Sequence, residues 1–181
     1  MDISEELDKL FDKRSVEFIE KYNSNRLDNE KVIFTYLESL VSEKYARYIV
    51  ISPLCSSFIT QTYEYMLAVY GEELYLSNTS NSVYIVLPLM REHIVEDLKC
   101  VDSIVNNMED ENSLEDYERH EMKYQYSLRY LDIVKPLWKD IALDFIEYIK
   151  AKDKVFDIQN LDIIYGMYME RTESFISKES I

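Results

Sequence analysis

Two histidines, two cysteines and 35 carboxylates are the side chains from which this chain of 181 residues could build catalytic or metal chemistry. Their densest grouping is Asn107–Glu121, NMEDENSLEDYERHE, where Glu109, Asp110, Glu111, Glu115, Asp116, Glu118 and Glu121 surround His120. A calcium loop of the EF-hand kind needs oxygen donors at alternating positions, a glycine at the sixth and a glutamate at the twelfth. Counted from Asp110, Glu121 stands at the twelfth position, but Leu114 occupies the fifth and Glu115 the sixth, so the motif fails. A di-iron or di-manganese bundle needs Glu-x-x-His on two helices, yet Tyr117 precedes His120 at that spacing and Met90 precedes His93. Zinc would need Cys55, Cys100, His93 and His120 to converge without any short-spaced pair among them. No metal or other cofactor is expected.

Catalytic motifs are equally scarce. With two glycines the chain can form neither a phosphate-binding loop nor a dinucleotide fingerprint, and it has no G-x-S-x-G elbow. Cys55 lies in LCSSF and, like Cys100, in an apolar helical pattern, where a thiol acts as a small buried hydrophobe. His93 falls on the polar side of its helix and reads as a surface residue. A non-enzymatic protein is expected, the alternative being a metal-assisted hydrolase without a legible motif.

Local structure accounts for part of the acidic stretch. Ser113-x-x-Asp116 reads as a capping box. Glu115 and Asp116 suit the positive end of a helix dipole, and Glu115–Arg119 and Asp116–His120 are spaced for pairing on one helix face. Glu109, Asp110 and Glu111 have no such duty. They are a solvated connection or a lure for a basic partner.

The elements that must position these residues read as helices. Gly and Pro are too few for the turns of an all-β protein. Leu7, Leu10, Phe11, Phe18, Ile19 and Tyr22 form a first stripe, interrupted at Lys13-Arg14-Ser15, and Asn23-Ser24-Asn25 forms a turn. A second helix runs from Asp28 through Tyr48. Ser52-Pro53 reads as the start of a third, with Leu54 to Tyr70 as its stripe and Gly71 as its end. Residues 73–87 are either a short β-hairpin or a buried helix. Ile94, Leu98, Val101 and Val105 mark a helix begun by Pro88, Tyr117 to Leu131 mark another, and Pro136 should break or kink the chain before a helix carrying Trp138 to Ile149. Leu161 to Phe175 complete the series, with Gly166 a weak point. The expected fold is therefore all-α: one domain, 1–181, holding about six to eight helices, with the hairpin near 73–87 as the only strand content.

Charge and tyrosine content set the functional expectation. A net charge of −15 repels phosphate backbones and anionic lipid surfaces, so neither direct nucleic-acid binding nor membrane association is expected. The longest apolar runs are too short to span a bilayer, and the acidic amino-terminal sequence carries no secretory pattern, which implies a soluble, cytoplasmic protein. The bias toward Ile, Asn, Lys and Tyr fits AT-rich coding, as in low-GC bacteria, their phages and large DNA viruses. Sixteen tyrosines exceed what a core consumes, and tyrosine is enriched at protein interfaces. The expected function is binding to a basic surface of another protein, as an inhibitor or immunity factor would. The expected contact patch is Glu109, Asp110, Glu111, Glu118 and Glu121 with Tyr117, Tyr124 and Tyr126. Imitation of nucleic acid, carboxylates standing for phosphates, is the sharper form of this reading. A viral signalling or apoptosis-blocking adaptor is a further alternative, and self-association through an unused apolar stripe is open.

Overall fold

The computed structural model describes residues 2–41, 46–74, 81–108, 114–152, 161–167 and 172–177. Its elements in chain order are α1 (Ile3–Ser24), α2 (Arg26–Val41), β1 (Tyr48–Pro53), α3 (Cys55–Ile59), β2 (Glu64–Tyr70), β3 (Asn81–Val86), α4 (Met90–Met108), α5 (Asp116–Leu128), α6 (Tyr130–Ala151), β4 (Asp162–Gly166) and β5 (Thr172–Ile176). The strands form one sheet in the order β3-β2-β1-β4-β5. The central β1–β4 pair is parallel, and the others are antiparallel. The fold is mixed α and β, not the all-α bundle that the apolar spacing predicts.

The correction has a physical cause in the central strands. Ile49, Ile51, Tyr65, Leu67, Val69, Ile163 and Tyr165 share one buried cluster with the helices. Val50, Met66, Ala68 and Tyr70 form a second cluster on the opposite face. A strand buried on both faces has no polar side, so its apolar run loses the alternation that marks a strand. YMLAVY at 65–70 therefore fits a helical stripe as readily as β2. Tyr63, Tyr65 and Tyr70 are all buried. Pro53, expected to open a helix, ends β1 opposite Tyr65. Tyr48, assigned by spacing to the second helix, begins that strand.

The remaining strands follow the same lesson. β3 does pair in a hairpin, but its partner is β2, with Glu64 opposite Val86 and Val69 opposite Asn81. The expected last helix over Leu161 to Phe175 is the β4–β5 pair, and Gly166 lies at the end of β4 with φ 157°. Pro136 does not break α6; it lies inside the helix on an exposed side. The chain turns instead at Arg129, between α5 and α6.

The helices whose stripes are one-sided do form where their spacing predicts. α1 buries Leu7, Phe11, Phe18 and Tyr22 and continues through Lys13-Arg14-Ser15, with Asp2 as its cap, accepting from the Ser4 N–H. α4 buries Ile94, Leu98, Val101 and Val105. Trp138 of α6 is fully buried against Tyr65 of the sheet, their ring centroids 5.1 Å apart. That contact joins the helical layer to β2.

Candidate interaction site

Among the described residues, Arg26 gathers Glu30, Asp140 and Asp144, and two further polar constellations share α4 and α5 but differ in access to solvent. The first centres on Asp97 of α4, fully buried. Its Oδ1 accepts from Arg14 Nε at 2.5 Å, and its Oδ2 accepts from the Tyr130 hydroxyl at 2.5 Å and the Tyr126 hydroxyl at 3.3 Å. The interruption in the stripe of α1 is thus explained: Arg14 crosses to a carboxylate one helix away. His93, one turn before Asp97, is 3% exposed rather than at the surface. Its Nε2 lies 2.9 Å from the Arg14 carbonyl, which can only accept, so Nε2 carries the proton. Burial holds the His93 pKa below its ordinary 6.5, against the pull of Asp97 3.8 Å away. Burial, reinforced by the Asp97 carboxylate, raises the Tyr126 and Tyr130 pKa values. A carboxylate enclosed in this way cannot meet a substrate. The group ties α1, α4, α5 and α6 together and is a structural hub.

The second constellation is open. A cleft of about 530 Å³ lies between α3 and α5, floored by Phe58 and by Leu98 of α4. Ile59 and Tyr117 line it while remaining 69% and 70% exposed, and unlike the comparably exposed Leu27 they share one cleft. Ser57 builds the α3 rim. Its hydroxyl donates to the Leu54 carbonyl at 2.6 Å and accepts from the Glu64 N–H at 2.8 Å, while its carbonyl accepts from the N–H groups of Thr62 and Tyr63. These bonds hold Gln61 and Tyr63 at φ 57° and 56°, in the left-handed region that costs a non-glycine residue energy. Phe58 packs edge-on against Tyr63, centroids 5.3 Å apart, so the next side chain, Ile59, projects outward.

The α5 rim begins with a capping box different from the one the sequence predicts. Glu118 accepts from the Glu115 N–H at 2.9 Å, whereas Ser113 lies outside the described residues. His120 Nδ1 donates to the Asp116 carbonyl at 2.7 Å rather than pairing with its carboxylate. Arg119 reaches Asn106 Oδ1 at 2.8 Å instead of Glu115. Lys123 is bound to Asp102 at 2.5 Å, so its charge is already neutralised. Among the described residues, Glu115, Asp116, Glu118 and Glu121 have no ion pair. Glu5, Glu17, Glu30 and Asp28 of α1 and α2, by contrast, hold Lys9, Arg14, Arg26 and Lys31.

Of the expected contact residues, Tyr117, Glu121 and Tyr124 line the cleft, with Glu118 on the same helix. Tyr126 does not belong with them: it is 3% exposed and faces Asp97. Glu109, Asp110 and Glu111 lie outside the described residues. Sequence reasoning missed Ile59 and Gln61 because α3 is only five residues long and was absorbed into a longer stripe. It missed Asp97 and Arg14 because single charges in a stripe look like interruptions. Cys100 is exposed and Cys55 half-buried with its Sγ 3.5 Å from Met167 Sδ, so neither thiol is the buried hydrophobe expected. Among the described residues no cluster of three or more His, Cys, Asp or Glu side chains could hold a metal ion, and no helix is long and apolar enough to cross a membrane. No family model, no curated protein and no solved structure matches the chain.

Proposed function

We propose that this is a non-enzymatic interaction domain that acts by binding a basic surface of another protein, as an inhibitor or immunity factor does. One observation carries the reading: an open apolar cleft with Ile59 and Tyr117 exposed at its rim, beside carboxylates that have no counter-ion among the described residues. Large apolar side chains that stay in water are what a partner would desolvate, and aromatic anchors concentrate binding energy. Uncompensated negative charge steers a basic partner and raises its association rate. The apolar floor favours a protein side chain over imitation of a phosphate backbone.

The test is co-purification from the native cells followed by hydrogen–deuterium exchange on the reconstituted complex. Protection should fall on Ile59–Tyr63 and Asp116–Ser127. Protection confined to other faces counts against the proposal. Reversing Glu109, Asp110, Glu111 and Glu121 together should slow association and flatten its salt dependence, and an unchanged rate would remove the acidic stretch from the interface.

A further inference from the structure

We infer that the occupant of the α3–α5 cleft is an amphipathic basic helix, its apolar side chains spaced i, i+3, i+4 to enter the cleft and its Lys or Arg residues meeting Glu118 and Glu121, an assignment that rests on the interaction reading and specifies its partner. The apolar half of the match comes from Phe58 and Leu98, buried in the floor, and from Ile59 and Tyr117, exposed on opposite walls. The basic half comes from charge. Lys123, which lines the cleft, is held by Asp102, and Glu121 beside it has no ion pair among the described residues and is open to an incoming cation. The helical form follows from the walls. They are α3, the turn after it, α4 and α5, and neither edge strand of the sheet, β3 or β5, lines the cleft. An extended segment there would find no row of backbone partners in the protein, whereas a helix satisfies its own N–H and C=O groups and presents its apolar side chains on one face. The turn that carries Gln61 is pinned by Ser57, so the rim is preformed and little ordering cost opposes binding.

A synthetic peptide of about 18 residues, long enough to form a helix, with leucines at i, i+3, i+4 and i+7 and lysines elsewhere, is the probe. Three comparisons accompany it: a scrambled peptide of the same composition, a Leu/Glu peptide with the same spacing, and the variants Ile59→Asp and Tyr117→Asp. Titration followed by backbone amide shifts should perturb Ile59, Gln61 and residues 117–127. The Leu/Lys helix should bind roughly tenfold or more tightly than either control peptide, and each variant should lose roughly tenfold with an unchanged thermal midpoint. Equal binding by the scrambled peptide, shifts centred on another face, or indifference to Ile59→Asp would overturn the assignment, and equal binding by the Leu/Glu peptide would overturn its basic character. If the peptide fails while a native partner still protects α3 and α5 from exchange, the basic helix is wrong and the interaction domain stands. If the native partner protects other faces only, both fall.

Discussion

The Asp97 hub and the α3–α5 cleft are built from similar side chains, carboxylate, tyrosine, histidine and a cation, and α4 and α5 contribute to both. In the hub every charge meets a protein partner, and the Asp97 carboxylate is shut off from solvent. In the cleft, Glu121 and Tyr117 are left to water. A buried charge without a partner costs several kcal/mol, so the hub's geometry is imposed by folding. An exposed carboxylate costs almost nothing, so folding does not dictate the cleft's composition. Substitutions should therefore separate the two regions: hub variants alter stability, and cleft variants alter recognition.

The largest effect is expected at the centre of the hub. Asp97→Ala leaves Arg14 Nε and the buried hydroxyls of Tyr126 and Tyr130 without their acceptor, while the rest of the guanidinium keeps Glu17 and Glu96. The loss should be about 3–5 kcal/mol, a large part of the total stability of a typical domain, read from urea unfolding. A loss under about 1 kcal/mol, within the range of an exposed ion pair, would show that water reaches Asp97 and that the contrast with the cleft is false. Tyr130→Phe removes one hydrogen bond to a charged acceptor and should cost about 1.5–3 kcal/mol.

A pH series sharpens the same contrast. Burial depresses the His93 pKa below 6.5, so the folded state prefers the neutral ring. The unfolded chain binds that proton more readily, and stability therefore rises with pH where the two states differ. His93 contributes its full share above the unfolded value of 6.5, and that share is lost as pH falls from there through the folded pKa. His93→Gln should flatten the dependence of unfolding free energy on pH below 6.5. An unchanged slope would mean that folding does not depress the His93 pKa, whereas a charged His93 paired with Asp97 would instead make stability fall as pH rises above 6.5.

How much of this could be read from sequence depends on how each element is buried. α1 and α4 have one apolar face and one polar face, so their periodicity survives and their core residues are recognisable. β1 and β2 are buried on both faces, which erases the period that distinguishes strand from helix. The parallel pairing of β1 with β4 joins residues that no local pattern connects, since Ile49 lies opposite Ile163. The cleft was half legible. Tyr117, Tyr124 and Glu121 stand out as aromatic and acidic residues on one helix, whereas the opposing wall depends on the five-residue α3 and a strained turn. The left-handed residues there are Gln61 and Tyr63, not the glycine or asparagine that would announce such a turn.

The smallest effects should distinguish two carboxylates that sequence places in one patch. Glu118 accepts from the Glu115 backbone N–H and belongs to the first turn of α5. Glu118→Lys removes that bond and sets a cation against the positive end of the helix dipole, so it should cost about 0.5–2 kcal/mol. Among the described residues, Glu121 receives only the Gln125 side chain, at 2.7 Å, from an exposed position one turn further on. Glu121→Lys should stay within about 0.5 kcal/mol of the parent protein. Both reversals should weaken the Leu/Lys helix, and thermal unfolding beside the peptide titration separates their roles. If Glu121→Lys destabilises as much as Glu118→Lys, α5 needs both charges for folding. Glu121 would then cease to mark a surface left free for a partner.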